Sequence, residues 1–418
     1  MGGVDAIFEK VLASDHVTLF LILSFFKKEE RIDEHSSVVA AHYNHLEEKG
    51  LKERYKSPIF YLRNFNNWVK SVLIQDHIDK VSEKDYGKPL SVLDICCGKG
   101  GDLSKWQKAS RMKHVVFADI AEVSVQQCQA RYADLRRRCG RLFTAEFITA
   151  DCTKDTLRDK YEDSSINFDF VSCQFGLHYS FESLSQARRM LTNISECLKP
   201  NGYFFGTIPN ADEIVSRAKK SPDNSFGNRV FNIKLLFDPA NGYPHFGAKY
   251  DFHLEGVVDC PEFLVDFKVL VKLAKEYGLE LVYKAGFADF FKDYSDKYTQ
   301  LLHRIMCFES YPAPPGKPLI AEESEYVHAR EKWEEMTNKT EHVRLGTMSK
   351  SEWEVASKYF TFLINFNHHI VQKLLQYIYY SLKYFLTIFL NFLCFRIYSN
   401  LCLSLSFSDI LIKKNFHL

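Results

Sequence analysis

The sequence predicts an α/β protein, a doubly wound and mostly parallel sheet with helices on both faces. Three observations predict it. Short apolar or β-branched runs recur at Leu90 to Ile95, His114 to Ile120, Glu146 to Ala150, Phe168 to Gln174 and Tyr203 to Ile208. Segments with helical spacing, such as Val123 to Cys139 and Ser183 to Leu198, separate them. The first run carries Asp94 and passes through Cys96-Cys97-Gly98-Lys99-Gly100-Gly101 to Asp102, as a strand does when it delivers a nucleotide-like ligand to a helix start.

Taken in order, each element has a local cause. Asp94 and the glycine turn close the first strand, Asp119 closes the second, Asp151 the third and Gln174 the fourth. Lys199-Pro200-Asn201-Gly202 reads as a helix stop and turn before the fifth strand. Beyond it, Tyr250 to Asp259 and Leu279 to Lys284 are expected to add edge strands, with a helix over Phe263 to Tyr277 between them. The charged stretch from Lys292 to Arg344, with Pro312, Pro314 and Pro315, is expected to be an inserted lid region.

A chain of 418 residues with 46% hydrophobic content can bury a large core. Its 54 basic and 53 acidic residues leave a net charge of +1, which argues against a bulk polyanion binder with a general basic coat and makes any nucleic-acid contact local. The 11 cysteines lack paired C-x-x-C spacing, as expected of reduced thiols rather than a disulfide framework or zinc cage. The short apolar run Val17 to Phe26, preceded by Asp5, Glu9 and Asp15, is expected to be neither a secretory signal nor a membrane span. From Phe360 to Leu418 the chain is dense in Phe, Leu, Ile and Tyr without caps or turn signals. That stretch is read as a membrane-associated helix, an extra packed helix or a segment not shaped for folding, with the last favoured and membrane contact not expected.

Open α/β sheets bind ligands beyond the carboxyl ends of their strands, where Asp94, Asp119, Asp151 and Gln174 fall. Read singly, each is a helix cap or turn residue; together they describe a ligand site. A dinucleotide wants three glycines in its turn, and Cys96 stands in place of the first. S-adenosylmethionine has no phosphate to cradle and fits this turn better.

The chain resembles the eukaryotic mRNA cap guanine-N7 methyltransferases. The resemblance is carried by Val39-Ala40-Ala41-His42-Tyr43-Asn44, by Phe60-Tyr61-Leu62-Arg63-Asn64-Phe65-Asn66-Asn67-Trp68, and by Cys97-Gly98-Lys99-Gly100-Gly101-Asp102-Leu103. Further matches are Cys173-Gln174-Phe175, His178-Tyr179-Ser180-Phe181-Glu182, Lys249-Tyr250-Asp251-Phe252, Leu254-Glu255-Gly256-Val257-Val258-Asp259 and Ser349-Lys350-Ser351-Glu352-Trp353-Glu354. It covers residues 38–363, leaving an N-terminal extension over 1–37, expected to be poorly ordered, and a hydrophobic tail over 364–418.

The resemblance implies a class I, Rossmann-like methyltransferase with a seven-stranded sheet. It implies methyl transfer from S-adenosylmethionine to N7 of the cap guanosine, releasing S-adenosylhomocysteine, by in-line displacement that needs positioning rather than a catalytic acid, base or metal. The implied donor-binding residues are Lys70, Cys96, Asp119, Asp151, Gln174 and Tyr179. The implied cap-binding residues are Asn66, Asn67, Lys99, Lys105, Arg131, His178, Glu255 and Tyr359, with Glu255 accepting the N1 and N2 hydrogens of guanine. Without the resemblance, Lys105 and Arg131 read as solvated helix faces, His178 and Tyr359 as part-buried aromatics and Glu255 as a strand-edge charge. Capped RNA, a small activating subunit, the capping machinery and a nuclear location are implied likewise. The alternatives are a cap-binding protein that lost turnover through Cys96, and a methyltransferase of the same fold acting on a protein or small molecule.

Overall fold

The computed structural model describes residues 34–46, 50–84, 87–109, 111–337 and 343–367. The expected extension before residue 34 and the apolar tail after residue 367 lie outside the described residues. The expected boundaries fall inside elements, because a helix spans Glu34–His45 and the last strand ends at Phe366.

The strands in chain order are β1 (Leu90–Ile95), β2 (Met112–Asp119), β3 (Thr144–Thr149), β4 (Phe168–Gln174), β5 (Leu198–Pro209), β6 (Ser225–Gly227), β7 (Phe231–Leu235), β8 (Lys249–Leu254), β9 (Val258–Phe263), β10 (Leu279–Gly286), β11 (Glu309–Tyr311), β12 (Leu345–Thr347) and β13 (Tyr359–Phe366). The main sheet has seven strands in the order β10-β13-β5-β4-β1-β2-β3. Pairing is parallel from β5 to β3, and β13 is antiparallel to both β5 and β10. β1 starts the chain's path through the sheet and has β2 on one side and β4 on the other, so the strand order reverses there and a crevice opens beyond its carboxyl end.

Period-two alternation divides the core into two layers. Val92, Val115, Phe117, Phe170 and Phe205 face one side, toward the helix Phe60–Lys84. Leu93, Ile95, Val116, Ala118, Val171, Cys173 and Phe204 face the other, with Ala187, Met190 and Leu191 of the helix Leu184–Ser195. The helix Phe60–Lys84 buries Leu62, Phe65, Trp68, Val69, Val72 and Leu73 at helical spacing. Its polar stripe is thereby left to face elsewhere.

Three expectations are corrected. Tyr250 to Asp259 does not edge the main sheet; it forms the β8–β9 hairpin of a separate four-stranded antiparallel sheet, β6-β7-β8-β9. The seventh main strand is β13, taken from what reads as the start of the apolar tail. Lys199 to Gly202 does not precede β5 but bulges within it, between the pairs Phe168↔Leu198 and Phe170↔Tyr203, with Asn201 at φ +62°. The insertion from Lys292 to Arg344 is present between β10 and β13. It buttresses the helix Phe60–Lys84 through Trp68 Nε1 to the Tyr298 carbonyl, 3.4 Å, and Lys297 to Asp76, 2.8 Å.

Candidate functional site

A cavity of about 560 Å³ opens at the carboxyl ends of β1, β2, β3 and β4. All six residues expected on the donor side, Lys70, Cys96, Asp119, Asp151, Gln174 and Tyr179, line it. Of those expected on the cap side, Asn66, Asn67, Lys99 and Arg131 line it, whereas Lys105, His178, Glu255 and Tyr359 do not. Among the described residues, none of the 292–344 insertion is on the wall. The helix Glu34–His45 and the turn after β8 contribute Tyr43, Leu254, Gly256 and Val257 instead.

The floor is the glycine turn. Gly98 and Gly100 have φ +52° and +73°, and a Cβ on Gly100 would stand 2.6 Å from Cys128 Sγ and 2.6 Å from Leu103 Cδ1. Asp119 holds the turn: its carboxylate accepts the Gly98 amide at 2.8 Å and the Ala121 amide at 2.9 Å. Burial pushes Asp119 upward, opposed by those amides. Asp151 accepts the Thr153 amide at 3.0 Å, and Gln174 is held between Ser172 and Thr207 at 3.2 and 3.3 Å.

Cys96 has φ +55°, a conformation costing a residue with a side chain roughly 1–2 kcal/mol relative to right-handed backbone. Its side chain packs against Gly176, where an added Cβ would meet Cys96 Cβ at 2.5 Å and Sγ at 2.7 Å. A hydrogen bond with Cys173, then burial, holds the Cys96 thiol well above its ordinary range, which makes it a neutral packing group rather than a nucleophile.

Asp94, one residue before the end of β1, points away from the cavity. By strand alternation it shares a face with Val92, and its carboxylate accepts Trp106 Nε1 at 3.0 Å. Beyond it, Asp102 takes Lys70 at 2.9 Å and Lys105 at 2.7 Å. Burial alone would raise Asp102, but Lys105 and Lys70 bring it down to about 2. Lys105 is thus committed to Asp102, the Gly101 carbonyl at 2.9 Å and Asn67 at 3.1 Å, and is 8% exposed, which keeps it off the wall.

Burial first, and the Asp102 charge second, push the Asp94 carboxyl up to about 7 against the indole hydrogen bond and Lys70. The folded state therefore binds a proton that the unfolded state releases near pH 4. The Asp94 contribution to stability is full below about pH 4 and is lost as the pH rises through 7. Asp94→Asn keeps an acceptor for Trp106 and cannot charge. It is expected to match the parent chain near pH 3.5, exceed it modestly at pH 5, and exceed it at pH 8 by roughly 4 kcal/mol, read from urea midpoints.

Glu255, expected to be the guanine-reading carboxylate, is 49% exposed on its side chain and lies 3.8 Å from His253. It sits at the end of the β8–β9 turn, where Gly256 takes φ +64°. The carboxylate that the fold buries is Glu262 of β9, 3% exposed. It accepts the hydroxyls of Tyr250 and, at 3.4 Å, Tyr179, and stands 3.3 Å from His178 Nε2. The Tyr179 hydroxyl also meets that of Tyr43 at 3.1 Å, so Glu262 is one hydroxyl away from the cavity wall. The ring nitrogens of His178 lack an aligned hydrogen bond although the residue is 2% exposed. Tyr359 packs its ring 5.1 Å from Phe175, which does line the cavity. Sequence reasoning missed Glu262, Tyr43, Phe175, Arg54 and Arg63. The usable signal for Glu262 was an acid set in the apolar run Cys260-Pro261-Glu262-Phe263-Leu264-Val265.

The donor set suits an adenosyl and amino-acid ligand. A glycine turn admits close backbone approach, a strand-end carboxylate suits ribose hydroxyls, and Asn66 Oδ1 is buried on this wall with no hydrogen-bond partner among the described residues, which costs about 1–3 kcal/mol until a ligand supplies one.

A family model described as the mRNA (guanine-N(7))-methyltransferase domain matches residues 26–367. The mRNA cap guanine-N(7) methyltransferase of Drosophila melanogaster is 47% identical over 331 residues, which cover 77% of this chain and 75% of that protein. The protein of the same name from Caenorhabditis elegans is 41% identical over 333 residues, 78% of this chain and 86% of that protein. That of Schizosaccharomyces pombe is 38% identical over 286 residues, 67% of this chain and 77% of that protein.

Proposed function

The chain belongs to the mRNA (guanine-N7)-methyltransferase family, and on that premise we propose how its cavity performs the family's reaction, transfer of a methyl group to N7 of the guanosine that caps an mRNA. The observation that carries this reading is one cavity in which the glycine turn held by Asp119 faces Asn66, Asn67 and Tyr179, with Glu262 buried behind Tyr179.

S-adenosylmethionine, when bound, supplies a methyl group already activated on a cationic sulfur. Asp119 would take the ribose hydroxyls, Asp151 and Gln174 the adenine edge, and Lys70 with the Cys96–Gly101 turn the amino-acid tail. On the guanine side, Glu262 rather than Glu255 would accept the two Watson–Crick N–H groups, with His178 and Tyr359 bounding the base. Lys99 and Arg131 would neutralise the triphosphate bridge, their positions tied by Arg131 Nη1 to the Lys99 carbonyl at 2.8 Å.

Guanine N7 carries a free lone pair, so no residue of the chain has to remove a proton. What the residues supply is alignment, and holding two reactants at near-attack geometry contributes up to roughly 7–11 kcal/mol. Family membership also supports, within this proposal, capped RNA as substrate, a nuclear location, and association with an activating subunit and the capping machinery.

The test incubates the purified chain with S-adenosylmethionine and RNA bearing an unmethylated guanosine cap, then analyses the released cap. N7-methylguanosine is the expected product. A chain that binds the donor by calorimetry yet forms none overturns the reading.

A further inference from the structure

Arg54, on the helix Leu51–Tyr55, and Arg63, on the helix Phe60–Lys84, both line the cavity. Neither is needed for the donor or the guanine. Arg63 is half-buried and shares the cavity wall with Arg54; burial first and the Arg54 charge second hold its guanidinium below its ordinary range. No acidic group acts on Arg63, and among the described residues its guanidinium makes no hydrogen bond or ion pair. A half-buried guanidinium without an ion partner of its own, here Arg63, favours an incoming anion, and the planar fork of arginine matches phosphate oxygens.

The position along the cavity identifies which phosphate. Arg63, Asn66, Asn67 and Lys70 lie at i, i+3, i+4 and i+7 on one helix face, opposite the buried stripe. Lys70 marks the donor end, 3.7 Å from where a Cβ on Gly101 would be. Arg63 is two turns away, about 10 Å along the axis. Lys99, whose carbonyl accepts Arg131 Nη1 at 2.8 Å, reaches the Leu46 carbonyl at 2.5 Å, so the two cations proposed for the triphosphate bridge are tied to the glycine turn rather than to the Arg63 end of the helix.

Resting on the proposed function, we propose that Arg54 and Arg63 form a phosphate subsite outside the cap site, which grips the RNA backbone 3′ of the triphosphate bridge.

The test compares a cap dinucleotide with a capped ten-nucleotide RNA in the full chain and in Arg54→Gln, Arg63→Gln and Arg63→Lys. Each glutamine variant is expected to raise KM for the capped RNA about tenfold more than for the dinucleotide, and to reduce the salt dependence of RNA binding by about one phosphate contact. Arg63→Lys, which keeps the charge, is expected to recover part of the loss. Equal loss on both substrates assigns the pair to the triphosphate bridge and overturns the proposal, as does no change on either. Arg54→Gln lies on the short rim helix and keeps the test decisive should Arg63 variants fold poorly. If the parent chain methylates neither substrate, the methyltransferase reading fails. Fluorescence anisotropy with the same labelled capped RNA then still judges the pair, and an unchanged affinity and salt slope in Arg54→Gln overturns it.

Discussion

Glu262→Gln is expected to lower kcat/KM for N7 methylation of capped RNA by about a thousandfold or more, whereas Glu255→Gln leaves it near the parent value. The asymmetry follows from burial and from donor counting. Glu262 is 3% exposed and already accepts the Tyr250 and Tyr179 hydroxyls. As a carboxylate it accepts only, which suits the two adjacent N–H groups of guanine. Glutamine has nearly the same shape but turns one acceptor into an NH₂ donor, so a donor faces a donor in a dry site, a mismatch worth about 4 kcal/mol. Glu255 is half-exposed and paired loosely with His253, so water replaces whatever it loses. Donor affinity and melting temperature of both variants separate a cap-reading defect from misfolding. A Glu262→Gln chain that turns over normally, or a Glu255→Gln chain that does not, sinks the assignment.

The second large effect is expected at Asp119. Its two carboxylate oxygens hold the Gly98 amide at 2.8 Å and the Ala121 amide at 2.9 Å, so one side chain fixes the glycine turn to the next helix start and presents the remaining lone pairs to the cavity. Asp119→Ala removes both anchors and the acceptor for ribose. Hydrogen bonds to charged groups contribute about 1.5–3 kcal/mol each, so S-adenosylhomocysteine is expected to bind at least about a hundredfold more weakly in calorimetry. Asp119→Asn retains one acceptor and should fall between. Binding of a cap analogue should fall less, because Glu262, His178 and Tyr359 lie off this turn and only Lys99, among the residues proposed for the cap, is carried on it. Unaltered cofactor affinity in Asp119→Ala would remove Asp119 from the donor site.

The strand-end part of the cavity wall was legible because it is local. Strand, turn and following helix are contiguous from Leu90 to Lys108, and strand ends at Asp119 and Gln174 are marked by the change from apolar run to acid or amide. Of the residues expected to hold the cap, those on the cavity wall were legible only where they share that locality. Asn66 and Asn67 lie on the wall because the opposite helix face carries Phe65, Trp68, Val69 and Val72, and a 3.6-residue period then leaves them no other direction. Glu255 and Glu262 are seven residues apart in one hairpin, and nothing in the local pattern says which end of that hairpin meets the main sheet. The pattern does say that β9 buries Cys260 and Glu262 on one face, by alternation, once its strand register is known.

The sequence by itself determined the α/β class, the five parallel strands, the glycine turn and the row of strand-end polar residues, because each depends on neighbours within one or two turns of chain. Tertiary structure alone decided that β13, 150 residues beyond β5, enters antiparallel between β5 and β10, that Tyr250 to Asp259 belongs to a second sheet, and that Lys105 is spent on Asp102. It also decided that Glu262 rather than Glu255 is the buried carboxylate of the β8–β9 hairpin and that Arg54 and Arg63 share the cavity. These outcomes turn on which distant surfaces exclude water from one another, and a residue's burial is a property of that packing rather than of its sequence neighbours.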